Sequence, residues 1–149
     1  MVALKHIALF VRDLHAAEVF YQQLFDMALI GRETMLDDGL WSALPADKGW
    51  SDALDAGIEL GMVALRRGTF VLALFQGDIP PGQVYAIGLS MSSEAIASVG
   101  ARLPANVQVE TDTQSDLVFR DPYRITWQIH TPEHEFLNNG EIAGRWLDV

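Results

Sequence analysis

Between residues 3 and 11, Ile7, Leu9 and Val11 alternate with His6, Ala8 and Phe10. This period of two marks a strand with two distinct faces. Asp13 follows, carrying a carboxylate suited to accept from the free N–H groups of a helix start. Leu14, Ala17, Tyr21 and Leu24 then share one helical stripe, which predicts a helix ending near Met27. Further strands are predicted at 28–34, 58–66 and 69–76, with Arg67-Gly68 as the tight connection between the last two. Residues 77–82, Gly-Asp-Ile-Pro-Pro-Gly, read as a linker because proline cannot donate to a sheet ladder. Beyond it the pattern predicts a strand at 83–91 and a helix at 93–102, opened by Ser92 or Ser93 and closed near Pro104. Strands at 106–112, 115–120 and 124–131 follow.

The order strand-helix-strand-strand-strand thus occurs twice, and Ile7-Ala8-Leu9 with Val11 recurs as Ile87-Gly88-Leu89 with Met91. The expectation is an α+β fold of two βαβββ modules, forming curved mixed sheets around a central cavity with helices on the outer face. Module one covers about 1–76 and module two about 83–131, followed by a tail at 132–149, all within a single domain. The segment 35–57 interrupts the repeat and holds Trp41 and Trp50, with a helical turn expected near Ser51 to Ala56. Two readings of it stay open: a lid over the cavity, or an insertion anchored by its tryptophans.

Half of the 149 residues are apolar, enough for a real core, and no apolar run approaches the roughly 20 residues of a membrane span. The N-terminus lacks the features of a secretory signal, so a cytoplasmic protein is expected. With no cysteine, metal ligands are limited to His, carboxylate and amide oxygen. A formal charge of -10 argues against nucleic acid and anionic lipid as partners. It suits a cationic or hydrophobic small molecule.

The opening Lys5-His6-Ile7-Ala8-Leu9-Phe10-Val11-Arg12-Asp13-Leu14, with Ala17 and Phe20-Tyr21, resembles that of the vicinal oxygen chelate superfamily of glyoxalases, bleomycin-resistance proteins and extradiol dioxygenases. Asp121-Pro122-Tyr123-Arg124 followed by Ile125-Thr126-Trp127-Gln128-Ile129 resembles its closing turn and strand. Asp26 and Arg124 stand where that family usually has glycine. The resemblance implies four inward metal-ligand positions, which fall on His6, Ala73, Ala86 and Gln128. Alanine cannot coordinate and a neutral amide oxygen is a weak ligand, so no metal site, no cofactor and no catalytic residue is assigned.

His130, two residues beyond Gln128 on the same strand face, is the best rescuing ligand for His6. His130-Thr131-Pro132-Glu133-His134-Glu135 superficially resembles a metal cluster. Pro132 would break a helix placing both histidines on one face, so an exposed tail is expected there. The expected ligand-binding residues are His6, Phe10, Ala73, Phe75, Ala86, Thr126, Gln128 and His130, an apolar surface with a few polar groups. The resulting expectation is a homodimeric, metal-independent small-molecule binding protein with a degenerate metal site. Its competitor is a lyase, isomerase or dioxygenase of the same superfamily with an atypical site.

Overall fold

The computed structural model describes residues 1–77, 80, 83–120 and 124–149. The first alternating run forms β1 (Ala3–Val11), and Asp13 accepts from the Ala16 N–H at 2.8 Å to start α1 (Leu14–Phe25). The helix stops at Asp26, whose φ of 51° is left-handed, as is the 72° of Arg124. Each lacks the freedom of glycine there, at a cost of about 1 kcal/mol.

The first half continues through β2 (Ala28–Met35), β3 (Trp41–Ala43), α2 (Trp50–Asp55), β4 (Met62–Arg67) and β5 (Phe70–Gln76). Gly68, at φ +59°, makes the tight turn between the last two strands. The second half comprises β6 (Val84–Ser90), α3 (Ser93–Gly100), β7 (Gln108–Asp112), β8 (Asp116–Arg120), β9 (Thr126–His130) and a terminal α4 (Asn139–Ala143). Ser92 caps α3 by accepting from the Ala95 N–H. Of the expected linker, Asp78, Ile79, Pro81 and Gly82 lie outside the described residues, as do Asp121, Pro122 and Tyr123 of the closing turn.

The nine strands of the described residues form one open mixed sheet in the order β3-β2-β4-β5-β1-β6-β9-β8-β7. Each half ends by laying its last strand parallel to its first: β5 beside β1, and β9 beside β6. The halves meet where β1 and β6 pair antiparallel, so two related sheets become one continuous surface. One face is covered by helices. Leu14 packs there with Val63, Leu65, Leu72 and Leu74, while Ile96 of α3 packs with Leu117 and Ile129. Of the expected stripe on α1, Leu14, Ala17 and Tyr21 pack against the core and only Leu24 does not. Leu14 and Glu18 are the helix's buried residues, whereas Leu24 is 56% exposed.

The C-terminal tail departs most from expectation. It crosses the other sheet face and docks on the first half, where Ala43 bridges Trp146 in parallel and Leu147 enters the core. Glu33, only 1% exposed, accepts from Asn139 through both its backbone N–H and its side-chain amide at 2.7 Å each. A buried carboxylate satisfied this way holds the tail to β2.

Candidate functional site

Strand register places the chemistry of the helix-free face in rows. Ala64, Ala73, Ala8, Ala86, Thr126 and Arg120 stand in register from β4 across to β8. The next row runs Arg66, Val71, His6, Gly88, Gln128 and Val118. Ser90, His130 and Asp116 stand one step further along. Since in-register residues share a face, His6, Ala73, Ala86 and Gln128 converge on one region.

That region is filled. Ala8, Ala73 and Ala86 are at most 2% exposed and pack with Phe75 and with Phe136 from the tail. Phe136 also sits edge-on against His6, with ring centroids 5.0 Å apart. Arg66 fastens this stretch, donating to the Phe136 carbonyl and to Glu135. The small side chains expected to leave space instead admit an aromatic ring, which recovers dispersion contacts an empty cavity would lose.

His6 and Gln128 meet directly: Nε2 of His6 lies 2.6 Å from Oε1 of Gln128. The amide oxygen can only accept, so the ring carries its proton on Nε2 and leaves Nδ1 bare. Nδ1 is buried with no hydrogen-bond partner among the described residues and turned against Gly88. Burial lowers the His6 pKa to about 4, and the nearby His130, Lys5 and His134 push the same way against the Gln128 bond. The four family positions therefore offer one histidine already bonded to a neutral amide and two buried methyl groups. They do not fit a metal ion.

Gly88 is required by this arrangement. A Cβ there would lie 2.0 Å from His6 Nδ1 and 2.2 Å from its Cε1, while Phe136 closes the ring's other side. Gly88→Ala is expected to destabilise the fold by about 2 kcal/mol through overpacking. The urea midpoint reads this directly, and an unchanged midpoint would show that His6 is free to move.

Phe10 and Phe75 lie at one end of the face with ring centroids 6.4 Å apart. A register shift between Ala8 and Leu9 brings Tyr85 against both, at 5.1 and 5.0 Å, where simple alternation from Ala86 would point Val84. Trp41 packs edge-on to Phe75 at 5.7 Å, and so belongs to this end of the sheet. Trp50 does not. It stacks on His15 and donates to Glu18 at 2.9 Å beside α1, anchoring the long segment. Next to the aromatic group is a cavity of about 740 Å³ lined by Phe10, Tyr85, Thr126, Arg120, Arg124 and Glu110, among others.

At the opposite end His130 bonds Asp116 through Nδ1 at 2.7 Å, and His134 stacks on His130 with centroids 4.4 Å apart and planes at 16°. Residues 132–135 are exposed, as expected, yet His134 does not stand apart from His130. Pro132 does prevent a helix, but a turn closed by the His134 N–H on the Thr131 carbonyl at 3.1 Å brings His134 back over β9. Beside it, a second cavity of about 400 Å³ is lined by Leu4, Lys5, Arg66, Val71, His134 and Phe136 among others. Lys5 Nζ is buried without a hydrogen-bond partner among the described residues, and burial lowers its pKa despite the attraction of Asp116.

Of the eight expected binding residues, the structure thus brings His6 to Gln128, buries Ala73 and Ala86 under Phe136, and leaves Phe10 and Thr126 on the larger cavity. Phe75 backs that cavity through Phe10 and Tyr85, and His130 joins Asp116 and His134 instead of His6. Tyr85, Arg120, Arg124, Asp116, His134 and Phe136 were not assigned from sequence. For Asp116 a signal existed, because counting β8 and β9 back from their connection pairs it with His130.

Residues 3–101 match the model of the Glyoxalase/Bleomycin resistance protein/Dioxygenase superfamily. The chain belongs to this superfamily. Solved structures share its fold at low identity. Hypothetical protein BH1468 from Bacillus halodurans C-125 is 15% identical with a TM-score of 0.50, over 92% of this chain and 99% of its own. A Streptomyces coelicolor methylmalonyl-CoA epimerase variant in complex with 2-nitronate-propionyl-CoA is 14% identical with a TM-score of 0.51, over 88% of this chain and 97% of its own. A 4-hydroxymandelate synthase mutant from the same organism is 16% identical with a TM-score of 0.53, over 97% of this chain but 53% of its own. No curated protein matches the sequence. Among the described residues, no helix is long and apolar enough to cross a membrane.

Proposed function

We propose that this superfamily member binds a small molecule without help from a metal at the family position, in the cavity beside Phe10 and Tyr85. The observation that carries this reading is the uneven filling of the sheet face. Phe136 seals the row at Ala73 and Ala86, while a cavity of about 740 Å³ persists beside Thr126 and Arg120 further along it. Its volume lies within the range of small-molecule sites, and it combines aromatic walls with a few polar groups, as such sites do. Phe10 and Tyr85 offer ring faces, and the buried Thr126 offers a hydroxyl.

The local charge opposes the global one. Although the chain carries -10 overall, the cavity lining among the described residues includes Arg120 and Arg124 against one carboxylate, that of Glu110. An apolar or aromatic ligand with an anionic group suits this lining better than the cationic ligand suggested by total charge, since guanidinium pairs carboxylate or phosphate in bidentate fashion. His6 and Gln128 act behind the site, holding the sheet centre closed.

A panel of aromatic carboxylates and acyl thioesters, titrated into chelator-treated protein with Tm and tryptophan fluorescence as readouts, tests this reading. At least one ligand is expected to raise Tm equally with and without chelator. Arg120→Ala is expected to weaken its binding about tenfold, the loss of one charge-assisted hydrogen bond. Absence of any stabilising ligand, or binding indifferent to both Arg120→Ala and Tyr85→Ala, would remove this cavity from consideration.

A further inference from the structure

We propose that Asp116, His130 and His134 form a divalent-metal site that clips the C-terminal tail onto the second half of the sheet. None of the three occupies a family ligand position, which fall on His6, Ala73, Ala86 and Gln128. The site lies at the other end of the sheet face from the cavity of the proposed function and is independent of it.

One ligand atom from each residue lies within 4.8 Å of the other two. Both histidines turn Nδ1 toward the same oxygen, Oδ1 of Asp116, at 2.7 Å from His130 and 3.6 Å from His134. The first is a hydrogen bond; the second is too long to be one. His134 Nδ1 is therefore directed at the carboxylate without being satisfied by it. An ion bound at about 2.0–2.2 Å to each group needs ligand atoms about 3.3–3.5 Å apart. An imidazole binds an ion in its own ring plane, so His134, the exposed member, must turn out of its stack on His130 for both Nδ1 atoms to reach one ion beside Oδ1.

The surroundings are built to hold the carboxylate. Oδ2 of Asp116 accepts from the hydroxyls of Ser115 and Thr113, so Oδ1 is the oxygen left for the histidines. Partners of this kind orient ligands in metal centres. Strand register fixes Asp116 and His130 as cross-strand neighbours, and the Thr131 turn supplies the third group. Lys5 is the nearby cation and Glu135 the nearby further carboxylate, the latter paired with Arg66. Two imidazoles and one carboxylate, without thiolate, select a borderline first-row ion such as Zn²⁺, Co²⁺ or Ni²⁺, with a position left for water.

The consequence is mechanical. His134 lies two residues before Phe136, the ring that seals the sheet centre, so an ion joining His134 to β8 and β9 would hold that seal in place. The test loads the full chain with ZnCl₂, removes excess metal by gel filtration, and measures zinc per chain together with Tm and the rate of proteolysis within 131–136. About one zinc per chain is expected for wild type, with a raised Tm and slower cleavage. His134→Ala, at an exposed position, should weaken zinc retention by more than about tenfold. His15→Ala, which removes a histidine outside the cluster, should retain zinc as wild type does. No retained zinc, or equal retention by wild type and His134→Ala, overturns the proposal. Neither result affects ligand binding at Phe10 and Tyr85, which is assayed in chelator.

Discussion

Glu18→Ala is expected to destabilise the protein by about 3 kcal/mol, one of the largest single-residue effects in the molecule. Glu18 is 2% exposed, yet it receives both the Nε and Nη2 donors of Arg32 and the indole N–H of Trp50. Removing the carboxylate strands a guanidinium and an indole donor, and breaking a buried pair on one side costs about 3–5 kcal/mol. The lower end applies because the Arg32 side chain keeps 15% exposure and can rehydrate. Trp50 begins α2 and helps anchor the 35–57 segment, so its fluorescence should shift in the native state as well. Urea unfolding of Glu18→Ala, Arg32→Ala and the double variant measures the coupling. The double variant should lose much less than the sum of the singles. A loss below about 0.5 kcal/mol for Glu18→Ala would show that the network is surface-like.

Glu18 also marks where sequence reasoning stops. Strands and helices were legible because their signals are local: the alternation in β1, the Asp13 and Ser92 caps, and the Gly68 turn each act over a few residues. The family resemblance then supplied the relation between the two halves. The burial of Glu18 beside Leu14, Ala17 and Tyr21 was missed because a carboxylate argues for exposure. The partners that reverse this, Arg32 and Trp50, are distant in sequence. Likewise β3 is too short to carry a period, and it exists because β2 offers an edge on one side and the tail bridges it on the other.

The candidate site divides along the same line. The family resemblance implied that His6 and Gln128 point inward together, and the register bears this out. What fills the sheet centre could not be read, because Phe136 reaches it from a tail with no regular pattern of its own. The same tail explains His134. The reasoning from Pro132 excluded a helix correctly, but a turn stacks His134 on His130 just as well. The Tyr85 position required knowing that β1 and β6 slip in register by a bulge, which alternation alone does not reveal.

Acidification should expose the role of His6: between pH 6.5 and about 4, this residue alone is expected to remove about 3 kcal/mol of stability. In the unfolded chain His6 titrates near its ordinary value of 6.5, whereas burial in the fold depresses it to about 4. Within that window the unfolded state binds the extra proton and the native state does not. Stability is therefore complete above pH 6.5 and falls by about 1.4 kcal/mol per unit as pH drops toward 4. The structural cause is specific. Nε2 already donates to Gln128, so a second proton must go on Nδ1, which is buried against Gly88 with nothing among the described residues to accept from it.

His134, whose pKa burial also lowers, adds to the loss in the same direction. The informative quantity is therefore the difference between wild type and His6→Gln. Urea midpoints taken from pH 7 to 4.5 should converge as pH falls, because the variant lacks this titration. Parallel profiles, or an NMR titration placing His6 near 6.5, would show that the ring reaches water. The same geometry bears on chemistry. A histidine whose only unprotonated nitrogen is sealed inside the sheet cannot take a proton from a bound molecule. In this arrangement His6 is a neutral strut beneath Phe136.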